Sequence, residues 1–207
     1  MPSNPYAVVQ QFEQAVAEYC GSKYAVSTTS CTAAILLACA WHQDRFKRLK
    51  TVNPTIILPS KTYVSVPQSV IHAGFKVAFQ EKEWLGSYQL DPLAVFDCAR
   101  RFTSGMYVKN TFQCLSFHWT KILSIGQGGC VLHDNDEADE WLRRARFDGR
   151  KEGVAPKDDV FSMIGYHCYM SPRDAAEGLS RLAVLPKHNA DLPNDDYADL
   201  SKLDIFK

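Results

Sequence analysis

The chain has 207 residues, enough for one domain with a substantial core. Its 23 basic and 23 acidic residues cancel, so no charge excess advertises a nucleic-acid backbone or an anionic membrane as partner. No apolar run approaches the roughly 18 residues that span a bilayer, and the opening Met1-Pro-Ser-Asn-Pro5 has neither the charged nor the apolar region of a secretory signal. Seven cysteines without a CxxC pair read as reduced thiols of a cytosolic protein, several of them acting as small buried hydrophobes. Six scattered histidines offer no metal-ligand cluster, so no metal site is expected.

Val9, Phe12, Val16 and Tyr19 recur at spacings of three and four and Gly21 follows, which predicts an amphipathic helix over residues 6–19. A strand at 24–28 leads into the turn Thr29-Ser-Cys-Thr32 and a second helix over 33–41. A helix start flanked by hydroxyls behind a strand suits an anion, and equally a plain Ser or Thr cap. The basic stretch 42–53 reads as a solvated helix end and loop. Next come a strand at 55–58, a loop at Pro59-Ser-Lys-Thr-Tyr63, a helix at 64–73 and a strand at 76–80, forming a parallel βαβ unit. Residues 81–92 are polar and too short for a crossover helix, and read as a loop.

A strand at 94–97 ends in Asp97, with Arg100 and Arg101 just beyond. Phe112, Leu115 and Phe117 mark a buried strand over 111–117, so Lys121 falls on the loop at its carboxyl end, where open α/β sheets bind ligands. A lysine there can form an imine with an aldehyde cofactor; a lone lysine is far more often a solvated surface residue, and the surrounding pattern changes that balance. A strand at 130–133, a helix at 137–147 with Trp141, Leu142 and Ala145 on one face, and a mobile charged loop at 148–159 follow. Ser171 and Pro172 open a last helix ending at 185. Strands alternating with helices imply a three-layer αβα fold with a mostly parallel sheet. The expected organisation is one domain over 1–188 and a polar tail over 189–207 that is disordered or docks on a partner.

Six stretches stand in an order that resembles a known family. They are Phe12-Glu13 with Tyr19 to Val26; Ser30-Cys-Thr-Ala33; Pro59 to Tyr63; Val95-Phe-Asp97-Cys-Ala99; Ser116-Phe-His-Trp-Thr-Lys121 followed by Gly126-Gln-Gly-Gly129; and residues 165–185. Together they resemble the DegT/StrS-type nucleotide-sugar aminotransferases, which depend on pyridoxal 5'-phosphate (PLP) and have the aspartate aminotransferase-like fold, fold type I. The match covers most of residues 8–186, and its most specific piece is the run from Ser116 to Lys121.

The resemblance implies that Lys121 holds PLP as an internal aldimine and shuttles a proton, and that Asp97 pairs with the ring nitrogen. It implies that Tyr63 stacks on the ring and that His118 packs near it. The turn Ser30, Cys31, Thr32 and Ala33, chiefly through the N–H groups of Thr32 and Ala33, would receive the phosphate together with Ser116. Cys31 stands where the family has glycine, and Arg100 where it has Gln or His. His167 replaces an asparagine that reaches a neighbouring subunit's phosphate, and Tyr169 replaces an arginine. The implied reaction moves an amino group from glutamate or glutamine to a keto nucleotide-sugar, in a cytoplasmic homodimer with shared active sites. The stretch 81–93 lacks the family's extra strand and helix, and the C-terminal small domain is missing. Two alternatives remain: a degenerate homologue that binds PLP or a sugar nucleotide as a scaffold, and sugar dehydration, disfavoured because related dehydratases replace the lysine with histidine.

Overall fold

The computed structural model describes residue 4 and residues 6–207. Helix α1 (Ala7–Cys20) buries Val9, Phe12, Val16 and Cys20 on one face. It stops where Gly21 takes the left-handed conformation, φ 81°, and returns its N–H to the Ala17 carbonyl. Strand β1 (Tyr24–Thr28) leads to helix α2 (Cys31–Leu49), capped by the Ser30 hydroxyl. This helix runs well past the end expected at residue 41. Its later turns are rich in good helix formers, bury Gln43, and place Phe46 edge-on against Phe75, while Lys47 and Arg48 favour the carboxyl end of the helix dipole.

Strand β2 (Thr55–Pro59), helix α3 (Ser65–His72) and strand β3 (Lys76–Gln80) form the expected parallel unit, with Thr55 opposite Lys76 and Pro59 opposite Gln80. Residues 81–94 are more than a loop. They contain strand β4 (Tyr88–Gln89), which pairs antiparallel with β5 (Val95–Asp97) because so short a connection can only double back. The N–H of Ile57 donates to the Asp91 carbonyl at 2.7 Å, which ties β2 to the end of β4. Strands β6 (Phe112–Ser116) and β7 (Gly129–His133) complete a five-stranded sheet in the order β1-β7-β6-β5-β4. The sheet is therefore mixed rather than mostly parallel: β5–β6 is its parallel pair, while β1–β7, β6–β7 and β4–β5 run antiparallel.

Helices α4 (Asp136–Arg146) and α5 (Pro172–Ala183) finish the layers. Side chains alternate across the sheet with the two-residue period of a strand. Val26, Val95, Cys114 and Val131 face Ala34, Leu37, Trp41 and Leu142 in the α2–α3–α4 core. Ala25, Leu115, Cys130 and Leu132 face Val9, Phe12, Val16 and Ala175 in the α1–α5 core. The three-layer αβα arrangement is thus present. All seven cysteines are buried free thiols.

One ionic cluster lies inside this packing. Glu13 accepts from the Ser27 N–H and hydroxyl at 2.9 and 2.6 Å and from Arg143 at 2.6 Å, and pairs with the fully buried Arg146. Burial pushes its carboxyl up, but the two guanidiniums outweigh that and hold it below the ordinary range.

The stretch after Ala183 packs back in cis, contrary to a disordered or partner-bound tail. Asp191 pairs with Arg101 at 2.6 Å, Leu200 is buried and donates its N–H to the Ser60 carbonyl at 2.8 Å, and Phe206 meets Phe79 edge-on at 5.5 Å. Apolar residues at intervals in an otherwise acidic segment supply the anchors. Among the described residues, no helix is long and apolar enough to cross a membrane.

Candidate active site

A cavity of about 580 Å³ opens at the carboxyl ends of β5 and β6, beneath the first turn of α2. Lys121 and Asp97 both line it. Lys121 is delivered by a tight loop: Phe117 donates its N–H to the Gly128 carbonyl at 2.9 Å, Trp119 to Gly126 at 3.1 Å and Lys121 to His118 at 2.8 Å. The loop presses on α2 so closely that a Cβ on Gly129 would sit 2.5 Å from the Ser30 carbonyl oxygen, which explains the absence of a side chain there. Burial first, then the charge of Arg100, lowers the Lys121 pKa from its ordinary value.

Asp97 is buried at the end of β5. Oδ1 accepts the Ala99 N–H at 2.9 Å and lies 3.9 Å from the Cys31 thiol, while Oδ2 accepts the Tyr88 hydroxyl at 3.0 Å. Thr62 Oγ1 lies 2.6 Å from the same Tyr88 oxygen and so donates to it. Burial raises the Asp97 pKa, and the Ala99 N–H, the Tyr88 hydroxyl, Lys121 and Arg100 oppose that rise. Burial and the Asp97 charge hold the Tyr88 and Cys31 protons in place, so both remain donors.

At the opposite wall, the Ser30 hydroxyl accepts the Ala33 N–H at 3.1 Å. Ala33 is therefore occupied by the cap and does not line the cavity, unlike the expectation that its N–H would meet a phosphate. The preceding N–H groups, of Cys31 and Thr32, belong to the first turn of α2 and have no intrahelical acceptor. With the Thr32 and Ser65 hydroxyls, 2.7 Å apart, and Ser116 across the cavity, they make a set of donors at a positive helix end suited to an anion.

Tyr63 and His118 reach the cavity, Tyr63 with 58% exposure. His118 Nδ1 is 3.0 Å from Thr120 Oγ1. His167 does not line this cavity of its own chain: its side chain is 73% exposed and its Nδ1 lies 3.0 Å from Asp148. Tyr169 is likewise elsewhere, packed with Tyr6 and Phe147. Both sit on the segment entering α5, and neither lines this cavity.

Arg100 lines the cavity and is buried, held by the segment after Lys187. Tyr88, Trp84, Thr62, Asp195 and Tyr197 were missed by sequence reasoning. Tyr88 meets Asp97 across the β4–β5 pair, and Asp195 and Tyr197 arrive from the far end of the chain, so no local motif marks them. The assembled groups can hold a phosphate at α2, pair a protonated ring nitrogen at Asp97 and capture a carbonyl carbon at Lys121. Among the described residues no three His, Cys, Asp or Glu side chains converge as a metal site.

Known proteins share this arrangement of segments. The family model of the DegT/DnrJ/EryC1/StrS aminotransferase family matches residues 3–108 and 105–192. A GDP-perosamine synthase of Caulobacter vibrioides is 23% identical over 227 aligned positions, covering 88% of this chain and 58% of the relative. A UDP-4-amino-4,6-dideoxy-N-acetyl-beta-L-altrosamine transaminase of Campylobacter jejuni is 23% identical, covering 87% of this chain and 57% of the relative. This chain thus spans less than three-fifths of the length of either. Among solved structures, a sugar aminotransferase of Micromonospora echinospora superimposes with TM-score 0.72 at 20% identity, over 86% of this chain and 61% of that one. A GDP-4-keto-6-deoxymannose-3-dehydratase superimposes with TM-score 0.68 at 17% identity, over 86% and 61%. The fold alone therefore does not select the reaction. The family does follow from the matched segments: this chain belongs to the DegT/DnrJ/EryC1/StrS aminotransferase family.

Proposed function

We propose that the protein is a PLP-dependent aminotransferase that moves an amino group from glutamate or glutamine to the keto group of a nucleotide-linked sugar. The observation that carries this reading is the convergence of Lys121, Asp97 and the free N–H groups of Cys31 and Thr32 on one cavity. This donor set suits a phosphorylated aromatic aldehyde with a basic ring nitrogen. When bound, PLP supplies an electron-poor ring that makes the Cα proton of an attached amine acidic.

The chain's residues have definable parts. Lys121 would anchor the aldehyde carbon and afterwards hold and return the substrate proton; its depressed pKa keeps the amine neutral at lower pH than an exposed lysine. Asp97 would hold the proton of the ring nitrogen; burial raises its pKa, and Ala99, Tyr88 and Lys121 offset that rise only in part. The N–H groups of Cys31 and Thr32, with the Thr32 and Ser116 hydroxyls, would take the phosphate, and Tyr63 would cover the ring. The activities that name the two relatives, a GDP-perosamine synthase and a UDP-sugar transaminase, support a nucleotide-linked sugar as acceptor. We further propose a cytoplasmic homodimer, its pairing supported by the exposed aromatic side chains of Tyr63, which lines the cavity, and Trp119, two residues before Lys121.

The reading is tested by mixing the full chain with PLP, reducing with borohydride and mapping the adduct by peptide mass spectrometry. A yellow band that borohydride bleaches, with the adduct on Lys121 and none in Lys121→Ala, is expected. Glutamate or glutamine should then convert the unreduced band. Absence of the adduct overturns the cofactor assignment. A band indifferent to every amino donor instead supports a binding protein without turnover, a second reading favoured by the altered residues Cys31, His167 and Tyr169.

A further inference from the structure

Arg100 is a second cation in a cavity that already has Lys121, and its surroundings are unusual. Its side chain is 7% exposed. Nε and Nη2 donate to the Tyr197 hydroxyl at 3.2 and 3.1 Å, Nη1 donates to the Pro193 carbonyl, and the Arg100 carbonyl accepts the Leu192 N–H at 2.9 Å. Those partners are neutral. They fix the direction of the guanidinium fork without matching its charge. The charge is met by Asp195, paired with Nη2, whose own side chain is 71% exposed. Tyr197 is further steadied by stacking on Trp84, with ring centroids 6.2 Å apart and an interplanar angle of 16°.

A buried guanidinium aimed by neutral acceptors and neutralised by a carboxylate that mostly faces water has the form of a carboxylate receptor filled from within the chain. Asp195 can leave readily, because its carboxylate already faces water and regains its hydration while another carboxylate takes its place. Arg100 cannot be left without a partner at the same low cost. Exchange of one carboxylate for another satisfies both conditions. Arg100, Asp195, Tyr197 and Lys121 all line the same cavity, so the incoming carboxylate would be held within the space that Lys121 serves.

We propose that Arg100 is a carboxylate-binding position of this cavity, occupied by Asp195 until a carboxylate-bearing ligand displaces it. That the natural ligand is the amino-acid donor rests on the function proposed above; the carboxylate site itself does not. The segment 192–197 then acts as a strap whose acidic residue gives way to the ligand while Tyr197 and Pro193 keep the receptor in position.

Isothermal titration of glutarate, which has no amine to react, into the full chain with and without PLP tests this. Asp195→Asn should bind glutarate more tightly than the unaltered protein, by about fivefold or more, because the ligand then has no carboxylate to displace from the guanidinium. Arg100→Gln should bind it about tenfold or more weakly, and the double variant should behave as Arg100→Gln. Asp195 is exposed, so its variant reports even if Arg100→Gln folds poorly. Equal affinity in the unaltered protein and Asp195→Asn overturns displacement, and Arg100-independent binding overturns the site. Inorganic phosphate competing as strongly as glutarate through Arg100 overturns its preference for carboxylates. Failure of borohydride trapping at Lys121, with glutarate binding still set by Arg100 and Asp195, sinks the proposed function and leaves this inference standing. Trapping with glutarate indifferent to both residues does the reverse.

Discussion

At the scale of single residues, the site works by opposed pressures on two groups. Burial and Arg100 favour the neutral form of Lys121, while burial of Asp97 is countered by donors that favour its charge. Asp97→Asn keeps the shape of the side chain and removes the charge. It is expected to lower transamination by on the order of 100-fold or more while borohydride trapping at Lys121 persists, as measured by single-turnover kinetics and peptide mapping. Arg100→Gln removes a cause of the low Lys121 pKa, and an amine must be neutral to attack an aldehyde. The rise of the trapping rate with pH should therefore move to higher pH in that variant, and a pH series of adduct formation reads it directly. Lys121 and Asp97 were legible in the sequence because each stands inside a motif, Asp97 at the end of a strand and Lys121 on the loop after one. Arg100 was visible only as a departure, and its partners Asp195 and Tyr197 were not visible at all, since their position depends on how the tail folds back.

At the scale of elements, close contacts decide what the periodic pattern leaves open. α5 lies against α1 so tightly that a Cβ on Gly178 would meet the Phe12 ring at 2.5 Å. An alanine in mid-helix ordinarily adds stability over glycine by about 1 kcal/mol. Here Gly178→Ala should instead cost about 1–3 kcal/mol, because the Phe12 ring is fully buried and has nowhere to go; chemical denaturation gives the sign. The helices and the parallel unit from β2 to β3 were readable from spacing. The overrun of α2 was not, since its later turns are mostly polar and carry few inward residues, among them His42, Gln43 and Phe46. Nor was β4 readable, because two residues in a polar stretch give no period.

At the scale of the molecule, Glu13 joins α1, β1 and α4 through Ser27, Arg143 and Arg146. Removing it in Glu13→Ala leaves a buried guanidinium partly unpaired and should cost about 3–5 kcal/mol in urea unfolding. Its carboxyl pKa is lower folded than unfolded, so its stabilisation is fully present above the unfolded value of about 4.3 and is lost as pH falls through the folded one. Acid unfolding of the unaltered protein should therefore steepen in that window and flatten in the variant. The αβα layering was legible from alternating segments, whereas strand direction was not, since antiparallel β6–β7 and β4–β5 depend on loops whose hydrogen bonds no periodicity reveals.

Strand β4 closes the sheet with two residues, and one of them, Tyr88, reaches Asp97 with its hydroxyl. The patch in the architecture and the setting of the acid are thus one feature. Replacing this short connection with a long crossover between β3 and β5 would remove that hydroxyl donor from the carboxylate, so the length of the loop and the setting of the acid are coupled in this protein.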